Sequence, residues 1–226
     1  MSPLQKQVRK LTELAVNGDL PEIHKWYQEN RELTIKTIDF YEKILKPVME
    51  RVGSLWEKNL ITVAEEHLAT ASIDYLMTQL RYQLLHPELL KSSPSILLFC
   101  LEGEQHSLGL KMVSDVFREY KWNVKFLGSS VPTEEVIKTI DKWEPDAIGI
   151  SVSLSPLLPK LKECISLIDA LERDIDVFVG GRVVSLYNLE ELGIDNIHLC
   201  NDLNDIEAIA SKNARKSEPV LPKGER

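Results

Sequence analysis

Five short apolar runs, separated by segments of helical periodicity, occupy the second half of this chain. They cover residues 95–100, 123–127, 146–151, 176–179 and 196–200. Apolar runs of this length without polar alternation are typical of strands buried on both faces, as in a parallel sheet covered by helices. The pattern predicts that residues 93–213 form a doubly wound, flavodoxin-like (Rossmann-like) α/β domain with a parallel five-stranded sheet.

Residues 1–92 show helical periodicity throughout. A first helix near residues 4–16 ends at Asn17-Gly18-Asp19, and Pro21 indicates the start of the next helix. Further apolar positions recur at helical spacing, namely Ile35, Ile38, Phe40, Tyr41, Ile44, Leu45, Val48, Met49, Val63, Ala64, Leu68, Ala71, Ile73, Tyr75, Leu76, Leu80 and Tyr82. We predict a four-helix bundle that ends before the break at His86-Pro87, with Pro47 kinking the third helix or lying in its first turn.

Composition limits the classes of protein to which the chain can belong. No stretch approaches the ~18 to 20 apolar residues that span a membrane, and the N-terminus lacks the apolar core of a signal peptide, so we expect a cytoplasmic protein without membrane association. The net charge of −8 and the absence of a basic run disfavour direct binding of nucleic acid. Cys100, Cys164 and Cys200 are widely spaced and are predicted to be buried free thiols. Residues 214–226 carry charges and prolines without periodicity and are predicted to be a disordered tail.

A carboxylate, a histidine and a glycine follow the first predicted strand in the pattern E-x-H-x-x-G. They are Glu104, His106 and Gly109. A carboxylate this close to a histidine can fix the tautomer of the imidazole and so present one ring nitrogen to a metal ion. On its own, a histidine in a loop is more often solvated or hydrogen-bonded without any role as a ligand.

Two other predicted strands end in small or hydroxylated residues. Ser151 and Ser155 follow the third strand, and Gly180-Gly181 follow the fourth. Serine hydroxyls can donate to or accept from a buried ring nitrogen, and glycines leave room for a flat ligand. Glycines and serines also punctuate ordinary turns. All three motifs lie at the carboxyl ends of parallel strands, where open α/β sheets bind ligands, and this favours a common site.

The order and spacing of these motifs resemble the cobalamin-binding domain family, whose pattern is D/E-x-H-x-x-G, then S-x-L, then G-G. The resemblance implies that His106 is the lower axial ligand of cobalt, in place of the cofactor's own benzimidazole, and that Glu104 is its hydrogen-bonding partner. The displaced nucleotide tail would enter a slot lined by the serine and glycine segments. Ser153 stands where the family has leucine, which changes the detailed contacts to this tail.

The segment after the second predicted strand also resembles the family. Gly128-Ser129-Ser130-Val131-Pro132 matches a turn that closes over the edge of the corrin ring. The resemblance therefore implies contacts from Gly128, Val131 and Pro132 to the cofactor.

A second signature lies in the helical half, where Trp56 is followed after nine residues by Glu66-His67. A corner between two helices could bring these three side chains over one spot. The ordinary alternative is that Trp56 packs in the bundle core and that Glu66-His67 form a solvated face near a helix N-terminus. Next to a cobalamin domain, however, W-x9-E-H resembles the cap of CarH- and LitR-type cobalamin photoreceptors, which covers the upper axial group, usually 5′-deoxyadenosyl.

Two departures from the photoreceptors accompany this resemblance. Such proteins usually begin with a MerR-type winged-helix DNA-binding domain, whereas this chain starts at the bundle. Those that form a bis-histidine adduct after photolysis have histidine after the tryptophan, whereas this chain has Glu57. His67 is the nearby candidate that could replace it as a ligand.

The resemblance implies a stand-alone, non-enzymatic adenosylcobalamin sensor that responds to light and acts through a protein partner, such as a DNA-binding regulator or a kinase. The alternative is a corrinoid methyl carrier that shuttles methyl groups and binds methylcobalamin. A plain flavodoxin-like domain for a phosphorylated ligand is the third candidate, but no P-loop or G-x-G-x-x-G follows any predicted strand. The sequence leaves open the upper axial ligand and whether the protein forms a homo-oligomer.

Overall fold

A computed structural model describes residues 2–30, 36–85, 93–194 and 197–214. The chain divides into two compact units, Met1–Leu85 and His86–Arg226. The predicted break at His86-Pro87 and the apolar position Ile35 lie outside the described residues. The predicted tail, 214–226, also lies outside them, apart from Ala214, which ends the last helix.

The first unit is helical. Its helices are α1 (Pro3–Asn17), α2 (Leu20–Asn30), α3 (Thr37–Phe40), α4 (Lys46–Glu57) and α5 (Val63–Arg81). A π-helical segment, Tyr41–Leu45, joins α3 to α4 without a break. The described residues of this unit therefore form four helical rods, as the periodicity predicts.

Capping residues set the ends of these helices. Ser2 and Gln5 form a capping box at the start of α1, and Thr62 and Glu65 form another at the start of α5. Gly18 ends α1 in the left-handed conformation, at φ +66°, and its N–H donates to the carbonyls of the last turn. These local signals explain why the sequence alone places the α1 boundary well.

Pro47 lies in the first turn of α4, within the continuous helix, where it has no backbone N–H to donate to the preceding turn. The π-helical segment comes just before it, and the N–H of Lys46 donates to the carbonyl of Tyr41. Of the two predicted roles for Pro47, the structure therefore shows the first-turn position.

The apolar residues predicted to form one stripe on α5 lie on two faces of the helix. Ile73 and Leu76 are buried in the bundle and Leu80 is half-buried. The other predicted members of the stripe are exposed, namely Val63, Ala64, Leu68, Ala71, Tyr75 and Tyr82. The prediction of a single core-facing stripe was wrong because these two sets point in different directions around the helix axis.

The second unit is an α/β sandwich. Its strands are β1 (Ser95–Leu101), β2 (Asn123–Val131), β3 (Ala147–Ser151), β4 (Asp176–Gly180) and β5 (His198–Cys200). Its helices are α6 (Leu108–Glu119), α7 (Thr133–Trp143), α8 (Leu158–Asp169), α9 (Arg182–Leu186) and α10 (Leu203–Ala214). The strand order is β2-β1-β3-β4-β5 and every pair is parallel, which confirms the flavodoxin-like prediction.

The end of β2 differs from the prediction. The strand was expected to stop at residue 127 and to be followed by a turn, but it continues to Val131 and still pairs with Leu101 of β1. Gly128 at φ +93° and Ser130 at φ +52° absorb extra residues as bulges, so pairing persists. Pro132 then precedes α7 as its N-cap. Gly128-Ser129-Ser130 predicts a turn because bulges and turns use the same residue types.

The strand order fixes where a ligand can bind in the second unit. The chain leaves β1 for β2 on one side and returns to β3 on the other, so a crevice opens at the carboxyl ends of β1 and β3. The three cysteines are free and buried in this unit, as predicted. Among the described helices of both units, none is long and apolar enough to cross a membrane.

Candidate functional site

The loop between β1 and α6 presents His106 at the carboxyl edge of the sheet. It turns at Gly103, which has φ +93°, and the N–H of Glu104 donates to the carbonyl of Leu101 at 2.8 Å. The imidazole of His106 remains 67% exposed at this edge. The loop thus holds its histidine in front of the sheet rather than inside the core.

Glu104 is fully buried, and both of its carboxylate oxygens accept hydrogen bonds. Oε1 accepts the His106 N–H at 2.9 Å and lies 2.5 Å from His106 Nδ1. Oε2 accepts the N–H groups of Ser153 at 2.7 Å and of Leu154 at 3.2 Å, in the loop after β3. Burial alone would raise the pKa of Glu104, but the hydrogen bonds from His106 and Ser153 outweigh it and hold this pKa below its ordinary value. The carboxylate is therefore ionised at neutral pH.

An ionised Glu104 fixes the tautomer of the neutral histidine. Because the carboxylate can only accept, His106 Nδ1 must carry the proton, and the lone pair is left on Nε2. This is the arrangement by which a carboxylate orients a metal-binding imidazole. The predicted pairing of Glu104 with His106 is present in the structure.

The metal for such a histidine must bring most of its own ligands. Within the described parts of the chain, no group of three or more His, Cys, Asp or Glu side chains could hold a metal ion. Burial, together with the charge of Glu104, raises the pKa of the Cys100 thiol to about 11, so this nearby sulfur stays protonated and is a poor ligand. One exposed imidazole fits a metal that is already bound in a macrocycle and needs an axial ligand.

Ser130 clamps the histidine loop from β2, and sequence reasoning missed it. Its Oγ accepts the Gly103 N–H at 3.0 Å, and its own N–H donates to the Glu104 carbonyl at 2.9 Å. The bulge at φ +52° turns Ser130 toward the loop, and nothing in the sequence signals a left-handed serine. The predicted cofactor-edge residues Gly128 and Val131 belong to the same bulged end of β2.

Three of the glycines predicted to lie in the site have different structural surroundings. A Cβ added at Gly109, in the first turn of α6, would meet no atom within 4 Å, so this surface is open to a ligand. A Cβ at Gly181 would lie 2.3 Å from the Val152 carbonyl oxygen, and Gly181 has φ +104°. At Gly180 it would lie at an ordinary 3.5 Å from the Cys200 carbonyl oxygen. The nearby Val152 backbone and the positive φ thus require glycine at position 181. The sequence had indicated a different reason, namely that this glycine leaves room for a ligand.

The two serines predicted to lie in the site are at the end of β3 and just beyond it, at positions 151 and 155. Ser151 is buried beside Cys100, its neighbour across the β1–β3 pair. Ser155 is half-buried and begins a short 3₁₀ turn, Ser155–Leu157, before α8. Ser155 therefore has the more accessible hydroxyl of the two.

The helical unit exposes the tryptophan of its W-x9-E-H motif. Trp56, near the end of α4, is 49% exposed, whereas Trp26 of the same unit is 5% exposed. In this structure Trp56 is therefore not part of the bundle core, which was the ordinary alternative for this residue.

Glu66 and His67 form a polar pair in the first turns of α5. Glu66 Oε2 lies 2.5 Å from His67 Nδ1, and Glu66 Oε1 accepts the Thr70 hydroxyl at 3.0 Å. The connection 58–62 places this pair and Trp56 at the same end of α4 and α5. The motif thus combines an exposed aromatic face with an oriented carboxylate.

Comparisons with known proteins agree with this geometry. Two family models, each described as a B12 binding domain, match residues 94–199 and residues 7–81. The chain is 30% identical to the HTH-type transcriptional repressor CarH of Myxococcus xanthus over 142 residues. The matched segment is 62% of this chain and 46% of CarH. The chain therefore spans less than half the length of that relative.

Corrinoid proteins match over more of their length. Dimethylamine corrinoid protein 1 of Methanosarcina acetivorans is 26% identical over 180 residues, which is 76% of this chain and 80% of that protein. The structure of the Methanosarcina barkeri monomethylamine corrinoid protein superposes with a TM-score of 0.75 at 20% identity, covering 92% of this chain and 98% of that one. This likeness confirms the fold. With a B12 binding domain matched in each of its two units, the chain is a cobalamin-binding protein.

Proposed function

We propose that this protein is a sensor that binds adenosylcobalamin and responds to light by changing its contacts with a protein partner. One observation carries the proposal. The exposed Trp56, at the end of α4, lies at the same end of these two helices as the Glu66–His67 pair at the start of α5. When bound, adenosylcobalamin supplies a light-sensitive cobalt–carbon bond. A partner that is a DNA-binding regulator or a kinase would carry the output.

The α/β unit would hold the lower side of the cofactor. His106 would hold the cobalt through Nε2, and the contact of Glu104 with Nδ1 would orient the ring for this. Gly109 leaves its surface open for close approach. We assign the corrin edge to Gly128, Val131 and Pro132, and the nucleotide tail to Ser151, Ser155, Gly180 and Gly181.

The helical unit would contact the upper axial group. Trp56 offers a flat aromatic face of the kind that stacks on a nucleobase. Glu66 offers carboxylate oxygens that accept hydrogen bonds from sugar hydroxyls. Glu57 stands where the photoreceptors have histidine, and His67 is the nearby candidate that could hold the cobalt in its place.

A corrinoid methyl carrier is the second candidate, and the comparisons give it specific support. The corrinoid proteins match across most of both chains, whereas CarH matches over less than half of its length. A carrier must let two partner enzymes reach the cobalt, so a large aromatic cover such as Trp56 would have little use. The two proposals therefore differ in what Trp56 does.

Absorption spectra can separate the two proposals. We would reconstitute the protein in the dark with adenosylcobalamin and with methylcobalamin, and record spectra and association state before and after green light. His106→Ala should lose the spectrum of the histidine-ligated form with either cofactor. Trp56→Ala should weaken binding of adenosylcobalamin tenfold or more while leaving methylcobalamin nearly unchanged, and Tyr187→Ala, an exposed aromatic elsewhere, should change neither.

The outcomes point to different conclusions. Retention of the adenosyl form in the dark, with a change of assembly on illumination, supports the sensor. A preference for methylcobalamin, with no change of assembly in light and no effect of Trp56→Ala, supports the carrier. If the protein binds neither corrinoid, both proposals are wrong.

A further inference from the structure

Ser130 adopts a backbone conformation that suits glycine better than serine. Its φ of +52° lies in the left-handed region, where the Cβ of an ordinary residue crowds the backbone and glycine has no such penalty. Gly128, on the same bulged end of β2, also has a positive φ. A serine held in this conformation indicates a use for its hydroxyl that outweighs the strain.

Two hydrogen bonds connect Ser130 to the histidine loop. Its Oγ accepts the Gly103 N–H at 3.0 Å, and its own N–H donates to the Glu104 carbonyl at 2.9 Å. Gly103 is the turn residue of this loop, with φ +93°. The bond to Oγ therefore restrains the loop at a position where the backbone has great conformational freedom.

Glu104 is held from two strands at once. Its carbonyl accepts the N–H of Ser130 from β2, and its Oε2 accepts the N–H groups of Ser153 and Leu154 from the loop after β3. Its Oε1 accepts the His106 N–H and faces His106 Nδ1. Ser130 thus reaches the imidazole through Glu104.

We propose that Ser130 is a positioning residue for the axial ligation of cobalt, because it holds the histidine loop in the conformation that presents His106. Since His106 is the proposed axial ligand, this role of Ser130 rests on the proposed function. Without the hydroxyl, the loop also populates conformations that do not present the imidazole. The apparent affinity for the cofactor then falls with the fraction of molecules that are competent to bind.

The hydrogen bonds that remain in a variant set the size of the effect. Ser130→Ala removes Oγ but keeps the bond from its N–H to Glu104 and the bonds from the loop after β3. Loss of one hydrogen bond of this kind shifts an equilibrium by about three- to tenfold. We therefore expect binding of adenosylcobalamin to weaken by about that factor rather than to be abolished.

A double-mutant cycle with His106 tests this role. Equilibrium dialysis in the dark would give dissociation constants for adenosylcobalamin with the wild type, Ser130→Ala, His106→Ala and the double variant. The serine change should weaken binding about three- to tenfold when His106 is present and less than about twofold when it is absent. Equal losses in both backgrounds, or no loss in either, would overturn the proposal, because a serine that does not act through His106 gives additive effects.

The same cycle separates this proposal from the proposed function. If His106→Ala binds as tightly as the wild type, the axial role of His106 is wrong and the role of Ser130 is wrong with it. If His106→Ala loses affinity but Ser130→Ala does not, only the role of Ser130 is wrong.

Amide hydrogen exchange of the protein without cofactor gives a second readout. In Ser130→Ala the Gly103 N–H loses its acceptor, so it should exchange about tenfold faster or more than in the wild type. An unchanged rate would show that the hydroxyl does not hold the loop.

Other changes at the bulge separate the hydroxyl from the backbone. Ser130→Gly relieves the positive φ but removes the acceptor, so it should lose affinity as Ser130→Ala does, without a matching loss of thermal stability. Ser130→Asn should restore binding, because asparagine adopts the left-handed conformation more readily and offers a carbonyl acceptor. Ser129→Ala removes an exposed hydroxyl next to it and should match the wild type in both readouts. Binding by Ser130→Gly at the wild-type level would overturn the proposal.

Discussion

At the scale of single residues, Glu104 joins two loops through one carboxylate. It accepts hydrogen bonds from His106 in the loop after β1 and from Ser153 and Leu154 in the loop after β3. In Glu104→Gln the amide NH₂ would face an N–H donor. We expect the unfolding free energy to fall by about 1–3 kcal/mol and cobalamin affinity to fall roughly tenfold to a hundredfold. Urea unfolding and spectrophotometric titration measure the two effects.

Glu102→Gln is the matched control for this change. Glu102 lies in the same loop, has a side chain that is 47% exposed, and pairs with Lys160 at 3.0 Å. An exposed ion pair contributes little to stability, so both measurements should stay near wild type. If Glu104→Gln behaves like this control, the buried carboxylate does not hold the loops as we describe.

Alanine substitutions at Gly109 and Gly181 distinguish a glycine needed for binding from one needed for folding. Gly181→Ala should destabilise the protein by about 2 kcal/mol or more, because the new Cβ meets the Val152 carbonyl and the backbone has positive φ. Gly109→Ala should fold at least as well as wild type, since the position is helical and open. It should nevertheless lower cobalamin affinity. Thermal unfolding without cofactor and cofactor titration distinguish the two, and equal stability losses would contradict this assignment.

At the scale of elements, the capping box of α5 supports the helix that carries Glu66 and His67. Thr62→Ala should reduce stability by about 1 kcal/mol, because the N–H of Glu65 loses its acceptor. The hydrogen bonds from the backbone N–H and the hydroxyl of Thr62 lower the pKa of Glu65. A lowered pKa stabilises the fold above the ordinary glutamate pKa, and this stabilisation is lost as the pH falls through the folded-state value.

Far-UV circular dichroism melts at neutral and acidic pH measure this effect. Glu65→Gln removes the titrating group, so its melting temperature should fall less than that of the wild type between neutral pH and about pH 3. Equal losses in both proteins would show that the capping box does not contribute to the pH dependence.

The sequence predicts elements better than it predicts the joints between them. Strands such as β1 and β3 are continuous apolar runs, and Gly18 ends α1 by its own backbone preference, so both are evident from composition and spacing. The bulged end of β2 is not, because Gly128-Ser129-Ser130 suits a turn equally well. The same holds for the hydrogen bonds of Ser130 with the histidine loop and of the Ser153 and Leu154 N–H groups with Glu104. These bonds depend on the local backbone conformation, which the pattern of side chains in the sequence does not reveal.

At the scale of the whole molecule, the charge of −8 bears on how an output could be reached. A protein that neutralises phosphates needs a cationic surface, and this chain has 27 Lys and Arg against 35 Asp and Glu. We expect no binding to a duplex oligonucleotide at physiological salt, in the dark or in light. Fluorescence anisotropy with a labelled duplex measures this, and a salt-sensitive rise in anisotropy would refute the expectation.

The π-helical segment Tyr41–Leu45 has a consequence for Trp56. A π turn amounts to one residue inserted into an α-helix, and each residue in an α-helix turns the chain by about 100°. The π turn spreads the extra residue over its own positions, so the α-helical segments on either side keep the angular relation of an uninterrupted helix. Deleting one residue of this segment would restore an ordinary α-helix and leave Trp56 pointing to the same side. A one-residue insertion within α4 itself, where no π turn absorbs it, would instead rotate Trp56 by about 100° without changing any residue of its motif.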